Sequence, residues 1–296
     1  MAGGAPTMIG LELPDVARWS DRVVVALGQN PSVFTGPGTN TYLVGMGPRR
    51  ILLDTGSGVP EYLPVLEHAL SEAGCEEIQE IVLTHGHPDH IGGAPALIER
   101  FGPLRTSKRP WPEVDGGYPV PVTAIDHDAV VRTEGATLRA IHTPGHAPDH
   151  LCFWLEEERA IFSGDNVLGV GTTVIPAESG DLGEYLDSLG RLLDAKPERI
   201  YPAHGPLIED GEGKLREYIE HRLERERQVL AVLERGPATL GAIVAEIYAA
   251  YPKRLHAAAA QQMRHHLRKL EAEDRVLASP EGGPARRAED VVWRLR

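Results

Sequence analysis

Four residues with metal-binding side chains lie within six positions of one another, directly after a short apolar run. The run covers residues 81–83 (Ile-Val-Leu), and the four residues are His85, His87, Asp89 and His90. Such a run is typical of a buried strand. Imidazole and carboxylate are ligand types that borderline divalent cations such as zinc accept. An exposed His-rich turn is the alternative, but four such residues behind a buried strand fit a metal site better.

Three further residues repeat this arrangement of an apolar strand followed by a small residue and then a His or an Asp. They are His146, Asp165 and His204, and Asp54 likewise stands at the end of a predicted strand. Strand ends meet at one edge in layered αβ folds, so these side chains are expected to converge on one site. His150 is a candidate proton shuttle, with a supporting or packing role as the favoured alternative.

The order of predicted elements alternates strands with amphipathic helices. Two strands around a Gly-Met-Gly-Pro turn predict a hairpin, and Gly74 is a plausible end for the helix that follows. Strands are predicted at residues 22–27, 39–44, 50–54, 137–142, 150–155, 160–163 and 199–202, and helices at 60–73, 94–101 and 181–194. The Pro- and Gly-rich segment 103–135 is expected to hold short strands only.

Composition restricts the class of protein. The chain has 296 residues, of which 42% are hydrophobic, and a net charge of −13. No apolar run reaches the length of a membrane span. The pattern of a secretory signal, a basic start followed by an apolar core, is not found at the N-terminus, so we do not expect secretion. Two distant cysteines, Cys75 and Cys152, predict free thiols in a reducing compartment. We therefore expect a cytoplasmic or mitochondrial-matrix protein that has no membrane partner. No pattern indicates an oligomeric state.

The last part of the chain differs from the rest in charge and pattern. Residues 211–296 carry 16 Lys and Arg against 13 Asp and Glu, whereas the remainder is strongly acidic. Three helices followed by two strands predict a winged-helix-like domain over 211–296, after a catalytic domain over 1–210. Arg264, Arg268 and Lys269 lie on the third helix. They are either contacts for a nucleic-acid backbone or, as we favour, a solvated face on a domain that caps the active-site cleft.

The ligand motif from Thr84 to His90, with His146, Asp165 and His204, resembles the metallo-β-lactamase superfamily over roughly residues 20–210. This resemblance implies an α/β fold, the αββα sandwich, with two zinc ions at one edge of its sheets. It also implies a ligand set with named roles. One zinc is bound by His85, His87 and His146, the other by Asp89, His90 and His204, with Asp165 bridging the two, Asp54 orienting ligands, and Asp89 and Asp165 catalytic.

A closer resemblance covers nearly the whole chain. The stretches at 38–44, 133–139, 162–169 and 201–206 are similar to the lactamase-beta-like protein two family. Animal members of that family are endoribonucleases acting on single-stranded RNA, and fungal relatives are thioesterases that release polyketides from carrier proteins. One departure is Gly86, where the family has a bulky aromatic residue, and we expect it to open space beside the metals.

The expected function is therefore hydrolysis by two cations that share a bridging hydroxide. The ligands predict hydrolysis and leave the substrate open, because such a site attacks phosphodiesters, thioesters and amides alike. The resemblance favours an endoribonuclease with single-stranded RNA as partner. The alternative is a thioesterase for acyl-carrier-protein or acyl-glutathione substrates, of the glyoxalase II type. A β-lactamase and a non-catalytic RNA-binding protein are less favoured.

Overall fold

The first part of the chain forms a seven-stranded mixed sheet. The computed structural model describes residue 8 and residues 10–280 and 291–296. The strands lie in chain order, antiparallel from β1 to β4 and parallel from β4 to β7. They are β1 (Val16–Arg18), β2 (Val23–Leu27), β3 (Asn40–Val44), β4 (Arg49–Leu53), β5 (Glu77–Val82), β6 (Thr106–Lys108) and β7 (Val122–Ala124).

A second sheet of five strands packs against the first. Its order is β12-β11-β10-β9-β8, antiparallel except for the parallel pair β11 and β12. The strands are β8 (Val130–Thr133), β9 (Ala136–His142), β10 (Leu151–Leu155), β11 (Ala160–Gly164) and β12 (Arg199–Pro202). The predicted 39–54 hairpin is present as the antiparallel pair β3 and β4.

Helices cover the outer faces of both sheets. The first sheet is covered by α1 (Tyr62–Ala73) and α3 (Ala94–Phe101), with the one-turn helices α2 (Pro88–Ile91) and α4 (Pro112–Asp115) at its loops. The second sheet is covered by α5 (Leu182–Asp194) and by α6 (Gly211–Glu234). Gly74 ends α1 in the left-handed conformation, as its position predicts.

The strand sequences reflect burial on both faces. In β2, Val23 and Val25 face the core between the sheets, whereas Val24 and Ala26 face the helix layer. In β10, Phe153 likewise packs between the sheets, and its neighbours pack against α5. Strands covered on both faces read as continuous apolar runs, and those runs allowed their prediction. The four layers confirm the αββα sandwich.

The last part of the chain is a small winged-helix domain. It contains α7 (Leu240–Ile247), α8 (His256–Ala272) and a sheet of three strands, β13 (Ala238–Thr239), β14 (Val276–Pro280) and β15 (Val291–Leu295). Thr239 caps α7 by accepting a hydrogen bond from the backbone of Ala242. The predicted winged-helix pattern is confirmed. Arg286 and Arg287, which stand in the sequence between β14 and β15 and would be basic residues of the wing, lie outside the described residues.

The helix α6 belongs to both units. Near its start, Leu215 and Tyr218 pack into the core beside α5, and near its end Val229 and Leu233 pack into the core of the winged-helix domain. The boundary expected at residues 210 and 211 thus falls at the start of a helix that completes both cores. Within the described residues, no helix is both long and apolar enough to span a lipid bilayer.

Candidate metal centre

The loop between β5 and α2 carries the first ligand motif. His85 follows the end of β5 and is fully buried, and His87 immediately precedes α2, in which Pro88 occupies the first position. Proline suits that position because the backbone N–H it lacks would have no partner there. The helix then presents Asp89 and His90 to the same end of the sheet.

One group consists of His85, His87, His146 and Asp165. Each of these residues offers one donor atom, and the four atoms all lie within 4.8 Å of one another. The Nε2 atom of His85 lies 2.9 Å from Nδ1 of His87, which in turn lies 3.0 Å from Nε2 of His146. Imidazole nitrogens that face one another at this distance surround a point that a cation can occupy at about 2.1 Å from each. The donor set therefore fits a divalent cation.

A second group is formed by Asp89, His90 and His204, also within 4.8 Å of one another. The Nε2 atom of His204 lies 3.2 Å from Oδ2 of Asp89, and Nε2 of His90 lies 3.5 Å from the same oxygen. Nε2 of His90 is buried and has no hydrogen-bond partner among the described residues. A buried polar atom without a partner is costly, and a bound cation would remove that cost.

Asp165 lies between the two groups. Its Oδ2 is 3.4 Å from Nε2 of His146, and its Oδ1 is 3.1 Å from Nε2 of His204 and 3.4 Å from Nε2 of His90. Each carboxylate oxygen thus faces a different group, so Asp165 could contact a cation held by either one.

Asp54 contacts the candidate ligand His90 and the backbone of Thr84, just before the ligand loop. Its Oδ2 is 2.8 Å from Nδ1 of His90, and its Oδ1 accepts the backbone N–H of Thr84 at 2.8 Å. A proton on Nδ1 leaves Nε2 of His90 free for a cation. Asp54 adopts a φ of 60°, an unusual value for a residue other than glycine, and is almost fully buried.

His150 contacts the backbone of Asp165. Its Nε2 accepts the backbone N–H of Asp165 at 3.1 Å, and its Nδ1 lies 3.0 Å from Oγ1 of Thr143. Its side chain is fully buried. Both ring nitrogens are occupied within the protein, which supports the favoured supporting role of His150 and leaves no free atom for a proton shuttle.

The two groups differ in protonation. Burial lowers the pKa of His85 well below its usual value, and burial together with neighbouring His146 lowers the pKa of His87 to about 4. Burial opposes protonation of His204 too, but Asp165 and Asp89 raise its pKa to about 9. The first group therefore offers neutral imidazoles, whereas a cation entering the second must displace protons.

A cleft of about 790 Å³ opens over both groups. Apolar side chains form much of its wall, and Val33 and Phe34 at its rim are 73% and 71% exposed. None of the described residues that line it is Lys or Arg, and Glu178 is the one charged lining residue besides the candidate ligands. Gln261 of α8 also lines it, so the winged-helix domain contributes to its wall.

The expectation that Gly86 opens space beside the metals is wrong. A Cβ atom at Gly86 would lie 3.2 Å from Cγ1 of Val114, 3.4 Å from Oδ2 of Asp149 and 3.5 Å from Nζ of Lys108. The space directly beside the Gly86 backbone is therefore occupied by other residues of this chain.

Lys108 is a buried residue that the sequence did not single out. Its Nζ donates to Oδ2 of Asp149 at 2.6 Å and to the backbone oxygen of Arg109 at 2.6 Å, and it lies 2.8 Å from Oδ1 of Asp115. The side chains of Lys108 and Asp149 are both fully buried. This cluster connects the loop that carries Trp111, whose ring centroid lies 6.0 Å from that of His87, to the loop before His150.

The predicted basic residues of α8 differ in their surroundings. Lys269 donates to Glu226 at 2.8 Å and to Glu273 at 2.6 Å, so its charge is neutralised within the domain. Arg268 is exposed and Arg264 is half-buried. Elsewhere on the helix, Gln262 contacts the catalytic domain. The surroundings of Lys269 argue against a phosphate contact, and the position of the helix agrees with the favoured capping role.

Both parts of the chain match families of known proteins. A model of the metallo-beta-lactamase superfamily matches residues 34–204, and a model of the beta-lactamase associated winged helix domain matches residues 239–283. The computed structure also resembles a beta-lactamase domain protein from Burkholderia ambifaria, with a TM-score of 0.77, 18% identity and coverage of 97% of this chain and 96% of that one.

Two curated relatives match over most of their length. The atrochrysone carboxyl ACP thioesterase of Aspergillus chevalieri is 41% identical over 286 residues, covering 93% of this chain and 89% of the relative. The beta-lactamase-like protein 2 homolog of Drosophila melanogaster is 40% identical over 279 residues, covering 90% and 94%. Both resemblances predicted from the sequence are confirmed, and the chain belongs to the metallo-beta-lactamase superfamily, with the associated winged helix domain at its C-terminal end.

Proposed function

We propose that this protein is a dinuclear zinc hydrolase that cleaves thioesters of large apolar acyl groups. The observation that carries the proposal is the composition of the cleft, which has an apolar rim at Val33, Phe34 and Val174 and no basic residue among the described lining. Apolar walls favour an apolar acyl group, because its transfer from water is favourable by about 25 cal/mol per Å² buried. The relative named as an ACP thioesterase supports the same substrate class.

The donor set supports two cations. His85, His87 and His146 would hold one, Asp89, His90 and His204 the other, and Asp165 both. When bound, such ions supply Lewis acidity and a solvent nucleophile at neutral pH.

The chain's own contribution is to orient these groups. Asp54 holds His90 through Nδ1, the backbone oxygen of Val174 accepts from Nδ1 of His146 at 2.9 Å, and His150 holds the backbone of Asp165. Side chains that are held in this way need little reorganisation during the reaction.

Cleavage of single-stranded RNA is the second candidate, because the family resemblance predicted it and relatives carry the name beta-lactamase-like protein 2 homolog. RNA binding draws much of its free energy from phosphate contacts with Lys and Arg. The described cleft lining offers none, and Lys269 is paired with two glutamates. These observations favour the thioester.

The test uses the zinc-loaded full-length protein with benzoyl and acetyl thioesters of N-acetylcysteamine, with thiol release as the readout, and single-stranded RNA in parallel. We expect faster release from the benzoyl thioester, and no RNA cleavage above that of His87→Ala. Phe34→Ser should lower kcat/KM for the benzoyl thioester by about tenfold while changing the acetyl thioester little.

A matched control separates a contact with the acyl group from a general effect of surface change. Met46 is 49% exposed at the turn between β3 and β4, and Met46→Ser should leave both thioesters unchanged. RNA cleavage that depends on His87, together with no thiol release from either thioester, would overturn the proposal in favour of the nuclease.

A further inference from the structure

One segment connects the candidate metal ligands to the C-terminal helices. It comprises residues 168–175, here called the cleft segment, which follows Asp165 and precedes α5. Leu168, Thr173 and Val174 of this segment line the cleft. It has no regular secondary structure, so its conformation depends on the hydrogen bonds that its backbone makes with other parts of the chain.

On its inner side the cleft segment holds a candidate ligand. The backbone oxygen of Val174 lies 2.9 Å from Nδ1 of His146, which donates to it. This bond fixes the proton on Nδ1 and directs Nε2 towards His87 and Asp165. The orientation of the His146 ring therefore depends on the position of one carbonyl group in an irregular segment.

On its outer side the same segment is held by α6. Tyr218 accepts the backbone N–H of Leu168 at 2.9 Å and donates to the backbone oxygen of Gly171 at 2.9 Å. One turn further along the helix, Nη2 of Arg222 donates to the backbone oxygen of Thr173 at 2.6 Å. Tyr218 and Arg222 are both buried, so water does not replace these bonds when they are lost.

The helix α8 holds the other end of the segment. The side-chain amide of Gln262 donates to the backbone oxygen of Ile175 at 3.0 Å and accepts the N–H of the same residue at 3.3 Å. Thr173 and Ile175 flank Val174, so the peptide that contacts His146 is held on both sides by side chains of the C-terminal helices.

We propose that Arg222 and Gln262 are positioning residues for His146. Through the cleft segment, they set the affinity of the first group of ligands for its cation. The winged-helix domain and α6 thus help to build the metal centre, in addition to covering the cleft. This inference rests on the proposed cation site and is independent of the substrate.

The alternative role for these two residues is adhesion between the domains. In that case their loss lowers the stability of the protein while His146 and its cation stay unchanged. Measurements of cation affinity and of the absorption spectrum of bound Co²⁺ distinguish the two roles, since adhesion alone does not alter the ligand field.

The experiment titrates metal-free full-length protein with Zn²⁺ in competition with a chelator, and separately with Co²⁺ while recording the visible spectrum. Gln262→Leu and Arg222→Met should each weaken the binding of one Zn²⁺ ion by about tenfold, as loss of a residue that orients a ligand does. They should also shift the Co²⁺ bands. Arg222→Lys, which keeps a donor for Thr173, should recover most of the affinity.

Two matched controls make the same substitutions at another glutamine and another arginine, both on α6. Among the described residues, the side chain of Gln228 bonds only to Glu224 and Arg225 of its own helix, and Arg216 pairs with Glu212 on the surface. Gln228→Leu and Arg216→Met should bind both ions as the unaltered chain does. Circular dichroism of each variant checks that it is folded, and Gln262→Leu provides the test if Arg222→Met does not fold.

Folded Gln262→Leu protein with unaltered Zn²⁺ affinity and unaltered Co²⁺ bands would overturn the inference. An unaltered chain that binds no cation would overturn the proposed metal site, and the inference with it. Cation binding without any thioester hydrolysis would contradict only the proposed substrate.

Discussion

Replacing Lys108 by Met tests whether the buried charge cluster beside the metal centre is required for stability. The change removes the ammonium group that lies 2.6 Å from Asp149 and 2.8 Å from Asp115. Methionine has a similar volume, so the packing against Gly86 is largely kept. What remains is Asp149, fully buried and without its counter-ion.

The expected loss follows from that uncompensated carboxylate. Removing one partner of a buried ion pair costs about 3–5 kcal/mol, because the other charge keeps its desolvation penalty. Burial raises the pKa of Asp149 and Lys108 opposes that rise, so the pKa climbs further in Lys108→Met. The folded variant then binds a proton that the unfolded chain has released, and its stability falls as the pH rises above about 4, the pKa of an aspartate in the unfolded chain.

The assay is urea unfolding of metal-free protein at pH 5 and pH 7, followed by circular dichroism. Adding Asp149→Asn to Lys108→Met removes the stranded charge and should recover about 2 kcal/mol at pH 7. Lys253 is exposed, and Lys253→Met should change stability by less than about 0.5 kcal/mol. A loss below about 1 kcal/mol in Lys108→Met, or a double variant less stable than the single one, would refute the reasoning.

Three further predictions concern Asp165, Asp54 and the buried His266 of α8. Asp165→Ala should abolish hydrolysis more completely than it abolishes zinc binding, because three ligands remain for each ion; wild-type activity in this variant would contradict its assigned role. Asp54→Asn should weaken Zn²⁺ binding by about 10- to 100-fold, because its NH2 group replaces one of the two carboxylate oxygens that accept from Thr84 and His90. Competition with a chelator measures the affinity, and an unaltered value would argue against this role. Burial, with Arg222 nearby, lowers the pKa of His266 to about 3. Below pH 6.5 the unfolded chain therefore gains a proton that the folded one does not. Stability falls with decreasing pH by about 1.4 kcal/mol per unit from this group, and His266→Leu should show a shallower decline in urea unfolding between pH 6 and pH 4.

Apart from His146, which follows β9 with its alternation of buried and partly buried residues, the candidate ligands could be predicted from the sequence because they follow strands with buried apolar runs, such as β11. Continuous apolar runs mark such strands, and a polar residue directly after one is easily recognised. The supporting contacts could not be predicted in this way. The bond between Asp54 and His90 joins residues 36 positions apart, and that between His146 and Val174 joins residues 28 apart. No local pattern encodes such a contact.

The surroundings of Lys108 and Gly86 also come from residues distant in the sequence, so they could not be predicted. Lysine beside Thr, Ser and Arg reads as a surface residue, and only the approach of Asp149, 41 positions later, makes its burial possible. The space beside Gly86 was expected to be open because glycine replaces an aromatic residue there. Val114, which helps to fill that space, lies in a Pro- and Gly-rich stretch without periodicity. The two strands that the sequence did not predict, β1 and β13, have three and two residues, too few to show alternation.

The shared helix α6 affects the order in which the chain can fold during synthesis. Domains generally fold from the N-terminal end as they leave the ribosome. Here the outer face of the second sheet, covered in part by α5, is completed only when Leu215 and Tyr218 have emerged, although every candidate ligand has been made by residue 204. The bonds to Ile175, next to Val174, wait longer still, until Gln262 has been added. The nascent protein thus passes through a period in which all seven candidate ligand residues are present while part of an apolar face is still exposed to water.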